Sequence, residues 1–514
     1  MAELHKDFLF VLIKSLTTSE KRQFKLYVNR LGINADAKFL LLFSEMDKMR
    51  EYDEHHIIGK NISSKQQLSN LKAHLYKQIL VSLRMNPSHQ NYRIQLREQL
   101  DFANILYQKG LHKQALKILD KTKHSALELD EKSIASEIID LEKVIESQFI
   151  TRSIEGRAEE LIRQSTEISL QNHYTTELSN LSLKLYSEML THGYVKNDED
   201  RAEIMKIFES QIHKIKFEEL NFTEKLWYFK AHVWKNQLLQ EYKYTLKYAF
   251  QWVDLFHKNQ DMILSHPVWY IKGNTYLLKI LFLYGNIDIL EDRFDTFNKV
   301  ISSSSFTQNE NIQSLVFLTC YNTLMNIHFV KGEFFSGTKL IPEIELKMER
   351  FRDKIDEHHF MILYLKMAAM FFGSKKFHES IRYSLKVIES KGNVQEDLLF
   401  HTRILILMAK YESGNDEDYD EFIKATLKFA KKMKKPDDFH FQSIRFFKDV
   451  NSLQPDKQLQ AFREFDHQLN IFSHNEYYRR SLLYIDIHGW VQSKVKNVDV
   501  IEIIKKKVRY KRKN

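Results

Sequence analysis

A chain of 514 residues with only 13 glycines and 5 prolines lacks the punctuation that strand-and-turn folds depend on, so an all-α protein is the simplest reading. A hydrophobic fraction of 43% with 36 Phe and 24 Tyr excludes a mainly disordered chain, and the single cysteine, Cys320, excludes an intramolecular disulfide or a thiolate metal cluster. The formal charge of +9 is concentrated at the end: Lys505, Lys506, Lys507, Arg509, Lys511, Arg512 and Lys513 carry seven cations without an acid, leaving +2 on the other 504 residues.

The first 90 residues read as a separate helical module. Phe8 to Ile13 is too short for a signal-peptide core, and no run has the roughly 18 apolar residues of a membrane helix, so a cytoplasmic location is expected. Asp7 to Leu16 has helical spacing, and Thr17 with Glu20 forms a capping box that opens a second helix ending near Gly32. Ala37 to Arg50 follows with Phe39, Leu42, Phe43 and Met46 on one face. Asp53 to Ile58 is a short helix stopped by Gly59. Ser63 or Ser64 then caps Lys65 to Arg84, and Asn86-Pro87 closes the module.

Helical hairpins follow. Tyr92 to Lys109 pairs with Lys113 to Lys123, Asp130 to Phe149 with Ala158 to Ser169, and Tyr174 to Thr191 with Ala202 to Phe217. Glu224 to Leu239 pairs with Tyr244 to Phe256, and a helix starting near Pro267 and ending at Tyr284 with Ile289 to Ile301. Ser302 to Ser305 is expected to be a solvated loop. Gln313 to Val330 pairs with Phe335 to Met348, Phe360 to Phe372 with His378 to Glu389, and Leu398 to Tyr411 with Tyr419 to Lys431. Lys434-Lys435-Pro436-Asp437 ends the array. The remainder, Phe439 to Val508, is expected to be helical, with Leu459 to Leu469, Tyr477 to Val495 and a last helix after Asp499.

Two stretches define the repeat. In Ala103 to Leu119, small residues Ala103 and Ala115 stand where antiparallel helices touch, Leu106, Tyr107 and Leu119 fill around them, and Gly110 occupies the turn. In Ala368 to Leu385 the residues Ala368, Phe371, Phe377, Ser380 and Ser384 fall in the same order around G-S-K-K. The pattern resembles tetratricopeptide (TPR) hairpins, though Ala368 to Ala409 spans 41 residues against the usual ~34, so the array is TPR-like. The expected architecture is a right-handed TPR-like α-solenoid: an N-terminal helical bundle over 1–90, repeats over 91–435, capping helices over 436–504 and a basic tail over 505–514.

The string L-F-V-L-I-K-S-L-T-T-S-E-K-R-Q-F-K-L-Y with Q-L-S-N-L-K-A-H-L-Y-K-Q-I-L-V-S-L-R at 67–84 resembles a family of uncharacterised bacterial TPR-like proteins, and I-D-I-H-G-W-V-Q-S-K-V at 485–495 is similar to that family's last helix. The layout is also similar to that of bacterial peptide-sensing regulators of the Rap type. The family resemblance implies the solenoid fold and carries no site residues across.

No catalytic constellation stands out. The closest glycines, Gly332 and Gly337, flank Phe334 and Phe335 and cannot cradle a phosphate. His55-His56 and His358-His359 are adjacent pairs that point to different sides of a helix, so no metal and no cofactor is expected. Cys320 lies in an apolar helix and is expected to be inert. The acids of Asp416 to Glu421 suit a helix start.

Aromatics are densest between Trp227 and Trp269. Trp227, Tyr228, Trp234, Tyr242, Tyr244, Trp252 and Trp269 are candidates for a groove that anchors a peptide or partner helix, with packing between hairpins as the alternative. Asp53 to Lys72 can be threaded as a helix-turn-helix presenting Lys65, Gln66, Ser69, Asn70 and Lys72, with a structural bundle as the alternative. The basic tail suits salt-sensitive contact with RNA, DNA or a ribosome surface, or serves solubility. The expected function is a non-enzymatic scaffold that binds a protein or peptide, with a nucleic-acid- or ribosome-associated regulator as the alternative.

Overall fold

A computed structural model describes residues 7–30, 38–60, 62–86, 91–148, 156–213, 215–303, 306, 309–390, 396–414, 418–434, 436–474 and 486–511, the side chains of 455–456 and 508–511 excepted. Among the described residues the protein is all-helical and contains no strand. The expected helix end at Gly32, the Asn86-Pro87 closure at Pro87, Ser304 and Ser305, Asp416 and Glu417, Lys435, the Tyr477 to Ile485 half of the expected helix, and Arg512 and Lys513 lie outside the described residues.

The chain divides into two compact units, Met1–Leu127 with Glu137–Ser153, and Glu128–Ser136 with Ile154–Asn514. The first contains α1 (Phe8–Ser15), α2 (Thr18–Arg30), α3 (Lys38–Lys48), α4 (Glu54–Gly59), α5 (Lys65–Arg84), α6 (Tyr92–Gln108) and nearly all of α7 (His112–Glu128). Its N-terminal core gathers Leu9, Ile13, Phe24, Phe43, Leu75 and Ile79. The helix starts follow local chemistry. Asp7, Asp53 and Asn91 each accept a backbone N–H three residues on. Thr17 and Glu20 make the reciprocal capping box, with Thr17 N–H donating to Glu20 Oε2 at 2.7 Å. Gly110 adopts φ +73°, the left-handed turn its position requires, and Ala103 and Ala115 are fully buried.

Helix α8 (Lys132–Gln148) begins in the second unit and continues in the first. The second unit continues with α9 (Arg157–His192), α10 (Asp198–Ile212), α11 (Phe222–Leu238), α12 (Tyr242–Lys258), α13 (Asp261–Ser265), α14 (Pro267–Tyr284), α15 (Ile287–Ile301) and α16 (Glu310–Lys331). Then come α17 (Phe334–Lys339), α18 (Ile341–Arg350), α19 (Glu357–Gly373), α20 (Phe377–Ile388), α21 (Glu396–Ser413), α22 (Tyr419–Lys432), α23 (Asp438–Ser452), α24 (Pro455–His474), α25 (Ile487–Lys496) and α26 (Val500–Lys511). Neighbouring helices pack as hairpins, among them α11 with α12, α19 with α20 and α21 with α22. The first helices of successive hairpins also touch, α14 with α16, α16 with α19, α19 with α21 and α21 with α23.

Two local expectations need correction. Ala158 to Ser169 and Tyr174 to Thr191 are one 36-residue helix, α9, because Leu170-Gln171-Asn172-His173 holds no glycine or proline to interrupt the ladder. Phe335 to Met348 is instead divided at Leu340 into α17 and α18, where Pro342, with no N–H to donate, sits in the first turn of the new helix. In the G-S-K-K turn the left-handed residue is Lys375, at φ +61°; Gly373 is small because Phe334 packs on it, with ring carbons 2.2–2.5 Å from where a Cβ would stand.

Buried polar groups tie distant segments together. Lys132 Nζ donates to Glu224 Oε1 at 2.7 Å and lies 2.9 Å from Asp130, while Thr175 Oγ1 donates to Glu224 Oε1 at 2.6 Å. At the other end, Trp490 Nε1 donates to Glu412 at 2.5 Å and its indole stacks on Phe447, while Lys375 pairs with Asp499 at 2.7 Å. Helices α25 and α26 thereby lie on the ends of α16, α19 and α21, where Phe329, Phe372, Met408, Trp490 and Ile504 line a small apolar cavity.

Candidate functional site

Residues spaced three and four apart share one face of a helix. On α11 this places Trp227, Lys230 and Trp234 in a stripe, and on α14 Trp269, Lys272 and Tyr276, each 42 residues after its counterpart. The stripes meet. Trp227 and Trp269 are edge to face at 4.6 Å, and Trp234 and Tyr276 at 5.8 Å. Between these ring pairs Lys230 Nζ sits 4.3 Å from the Trp227 ring centre and 5.3 Å from that of Trp269. Burial, with the charge of Lys272 second, lowers the Lys230 pKa to about 8. Tyr186 of α9 packs on Trp234 at 5.2 Å, and the buried Trp234 Nε1 has no hydrogen-bond partner.

The face continues onto α16 and α19. Thr275 and Thr319 share a hydrogen bond of 2.7 Å. Lys366 Nζ donates to the Asn326 Oδ1 at 2.8 Å and to the Asn322 carbonyl at 3.1 Å. Burial, reinforced by the charge of Lys279, lowers the Lys366 pKa to about 7. Asn322 donates its amide to the Leu318 carbonyl, and its buried Oδ1 has no partner. Among the described residues no carboxylate stands within ion-pair distance of Lys230, Lys272 or Lys366. The row is therefore one of cations and rings, able to receive an anion and an apolar group side by side.

Of the seven aromatic candidates, Trp227, Trp234 and Trp269 are brought together in this stripe. Tyr228 turns to the other side of α11, where it meets His232, which stacks on Tyr248 at 4.0 Å. Burial lowers the pKa of that histidine to about 3, which keeps it neutral. Tyr242 begins α12 and Tyr244, also on α12, is 53% exposed. Trp252 is fully buried, its indole 2.8 Å from where a Cβ on Gly273 would be.

In the N-terminal unit Lys65, Gln66, Ser69 and Asn70 are exposed on α5. Lys72 points inward to Asp7 at 3.0 Å and to the Tyr52 hydroxyl, so it is committed to contacts within its own unit. In the tail Lys505 and Lys506 are exposed on α26, and Lys507 is held by Asp486 at 2.8 Å; Arg509 and Lys511 have backbone only within the described residues. The Cys320 thiol contacts Asn298 and burial raises its pKa to about 12. No cluster of three or more metal-ligating side chains occurs among the described residues, and no described helix is long and apolar enough to cross a membrane.

Reading the sequence for aromatic density missed Lys230, Lys272, Lys366, Asn322 and Asn326. A signal for the first two was present: W-Y-F-K-A-H-V-W at 227–234 and W-Y-I-K-G-N-T-Y at 269–276 are two copies of one pattern. Nothing comparable marks Lys366, whose partners come from another helix. No family model, curated protein or solved structure matches the chain.

Proposed function

We propose that the second unit is a right-handed TPR-like solenoid whose inner face is the stripe on α11, α14, α16 and α19, and that this face binds a protein or peptide partner without catalysing a reaction. The N-terminal bundle and the C-terminal helices complete the scaffold, and a chain whose single cysteine is Cys320 suits the reducing cytoplasm. The observation that carries this reading is the repeated ladder of Trp227 with Trp269, Lys230 with Lys272 and Trp234 with Tyr276. Aromatic rings supply contact area at small entropic cost, and cations set direction. Replacing Trp227 and Trp269 by alanine should abolish recovery of a specific partner from native lysate, with helical content retained; undiminished recovery refutes the reading.

The second reading, contact with RNA, DNA or a ribosome, is favoured by the exposure of Lys505 and Lys506. It requires salt-dependent binding to nucleic acid that disappears when residues 505–514 are removed.

A further inference from the structure

We propose that Lys366, held on Asn322 and Asn326, receives a carboxylate from an acidic peptide segment, with Lys230 and Lys272 as a second carboxylate site along the same face. The inference rests on the peptide-binding reading above and names the chemistry of its ligand.

Four observations converge. Lys366 reaches across from α19 to α16 and is fastened there by two neutral acceptors, the Asn326 Oδ1 at 2.8 Å and the Asn322 carbonyl at 3.1 Å, so its ammonium is positioned but not neutralised. Lys279 on α14 adds like charge, which disfavours the charged form of Lys366 while no anion meets its Nζ. The same holds for Lys230 and Lys272. The buried side-chain Oδ1 of Asn322, the residue whose carbonyl holds Lys366, accepts nothing and is an acceptor suited to a peptide N–H. An anion receiver next to an N–H acceptor fits a peptide carboxylate better than a phosphodiester, which brings no backbone donor. No carboxylate of α16, α17, α20 or α21 pairs with Lys366 among the described residues.

A second consequence separates this site from a merely basic surface. Lys366, with its pKa lowered to about 7, is partly deprotonated near neutral pH, and a bound carboxylate favours the charged form. Binding therefore takes up protons near neutral pH.

The test uses the full-length protein with a fluorescein-labelled ten-residue glutamate peptide, a glutamine peptide of equal length, and oligouridine. The glutamate peptide should bind and the glutamine peptide should not, with affinity falling as salt rises. Lys366→Met should weaken it about tenfold, the loss of one charge contact. Titration calorimetry in buffers of different ionisation enthalpy should show proton uptake in the wild type. Lys366→Arg should retain binding and lose the uptake, because arginine is charged in both states. Equal binding by Lys366→Met, or tighter lysine-dependent binding of oligouridine, overturns the proposal. Binding lost in Trp227→Ala with Trp269→Ala but unchanged in Lys366→Met overturns the carboxylate site and leaves the groove standing; binding indifferent to both sets overturns both.

Discussion

Lys196, in the segment after α9, places its Nζ 3.7 Å from Asp397 Oδ1 at the start of α21 and 3.9 Å from Asp437 Oδ2 at the start of α23. His440 completes the cluster, with Nδ1 against Asp437 and Nε2 3.7 Å from Asp397. Burial opposes charge on His440, but the two carboxylates override it and raise its pKa; burial likewise opposes charge on Asp397, and His440 with Lys196 lowers its pKa.

Asp397→Asn should destabilise the protein by about 2 kcal/mol near pH 6, and Lys196→Met by about 1 kcal/mol. The sign with pH follows from His440. Its raised pKa contributes stability that is complete below the ordinary value of 6.5 and is lost as pH rises through the folded value. The cost of Asp397→Asn should accordingly shrink toward alkaline pH. Thermal unfolding of both variants between pH 5 and 9 checks this; a pH-independent difference refutes the assignment.

Lys366→Met should stabilise the free protein by roughly 1–3 kcal/mol at pH 7, since it removes a desolvated cation that no carboxylate offsets. The folded pKa of about 7 lies below the ordinary 10.5, so the native state binds fewer protons and wild-type stability climbs across that interval. The advantage of methionine should be largest at and below pH 7 and fade toward pH 10.5. Denaturant melts at three pH values decide it, and a variant less stable at neutral pH contradicts the account.

Gly273→Ala places a Cβ 2.8 Å from Trp252 Cδ1 and 2.9 Å from Nε1. Alanine in mid-helix gains up to about 1 kcal/mol over glycine, whereas overpacking a core costs about 1–3 kcal/mol. A net loss of about 1 kcal/mol is expected from these opposing effects, with a change in tryptophan fluorescence as Trp252 shifts. Chemical unfolding followed by fluorescence measures both, and a stabilised variant would mean that the indole moves freely.

Lys132→Met leaves Glu224, which is fully buried, without its cation and should cost about 3–5 kcal/mol. Adding Glu224→Met should recover much of that loss, because two apolar side chains then fill the space of a buried pair. A double-mutant cycle by thermal unfolding gives the coupling. Additive losses would show that the two side chains act separately.

Much of the local structure was legible in the residues. The capping pair Thr17 with Glu20, the turn at Gly110 and the small residues Ala368, Ser380 and Ser384 at a helix contact all follow from hydrogen bonds and periodicities within a few residues. Such signals act over one or two turns, so chain order alone expresses them. The all-α class follows from the same cause.

Only the tertiary structure decided which side chains share a site. Periodicity says that Trp227, Lys230 and Trp234 lie on one face of α11, but not whether that face meets solvent, a neighbour or a groove; that depends on how each helix is rotated when its apolar stripe is buried. That rotation sends Tyr228 to His232 and Trp252 into the core, and brings Lys366 onto Asn322 and Asn326 and Lys196 onto Asp397. Charges and amides so far apart in the chain leave no mark on each other's local sequence, because their interaction exists only once packing has set the distance.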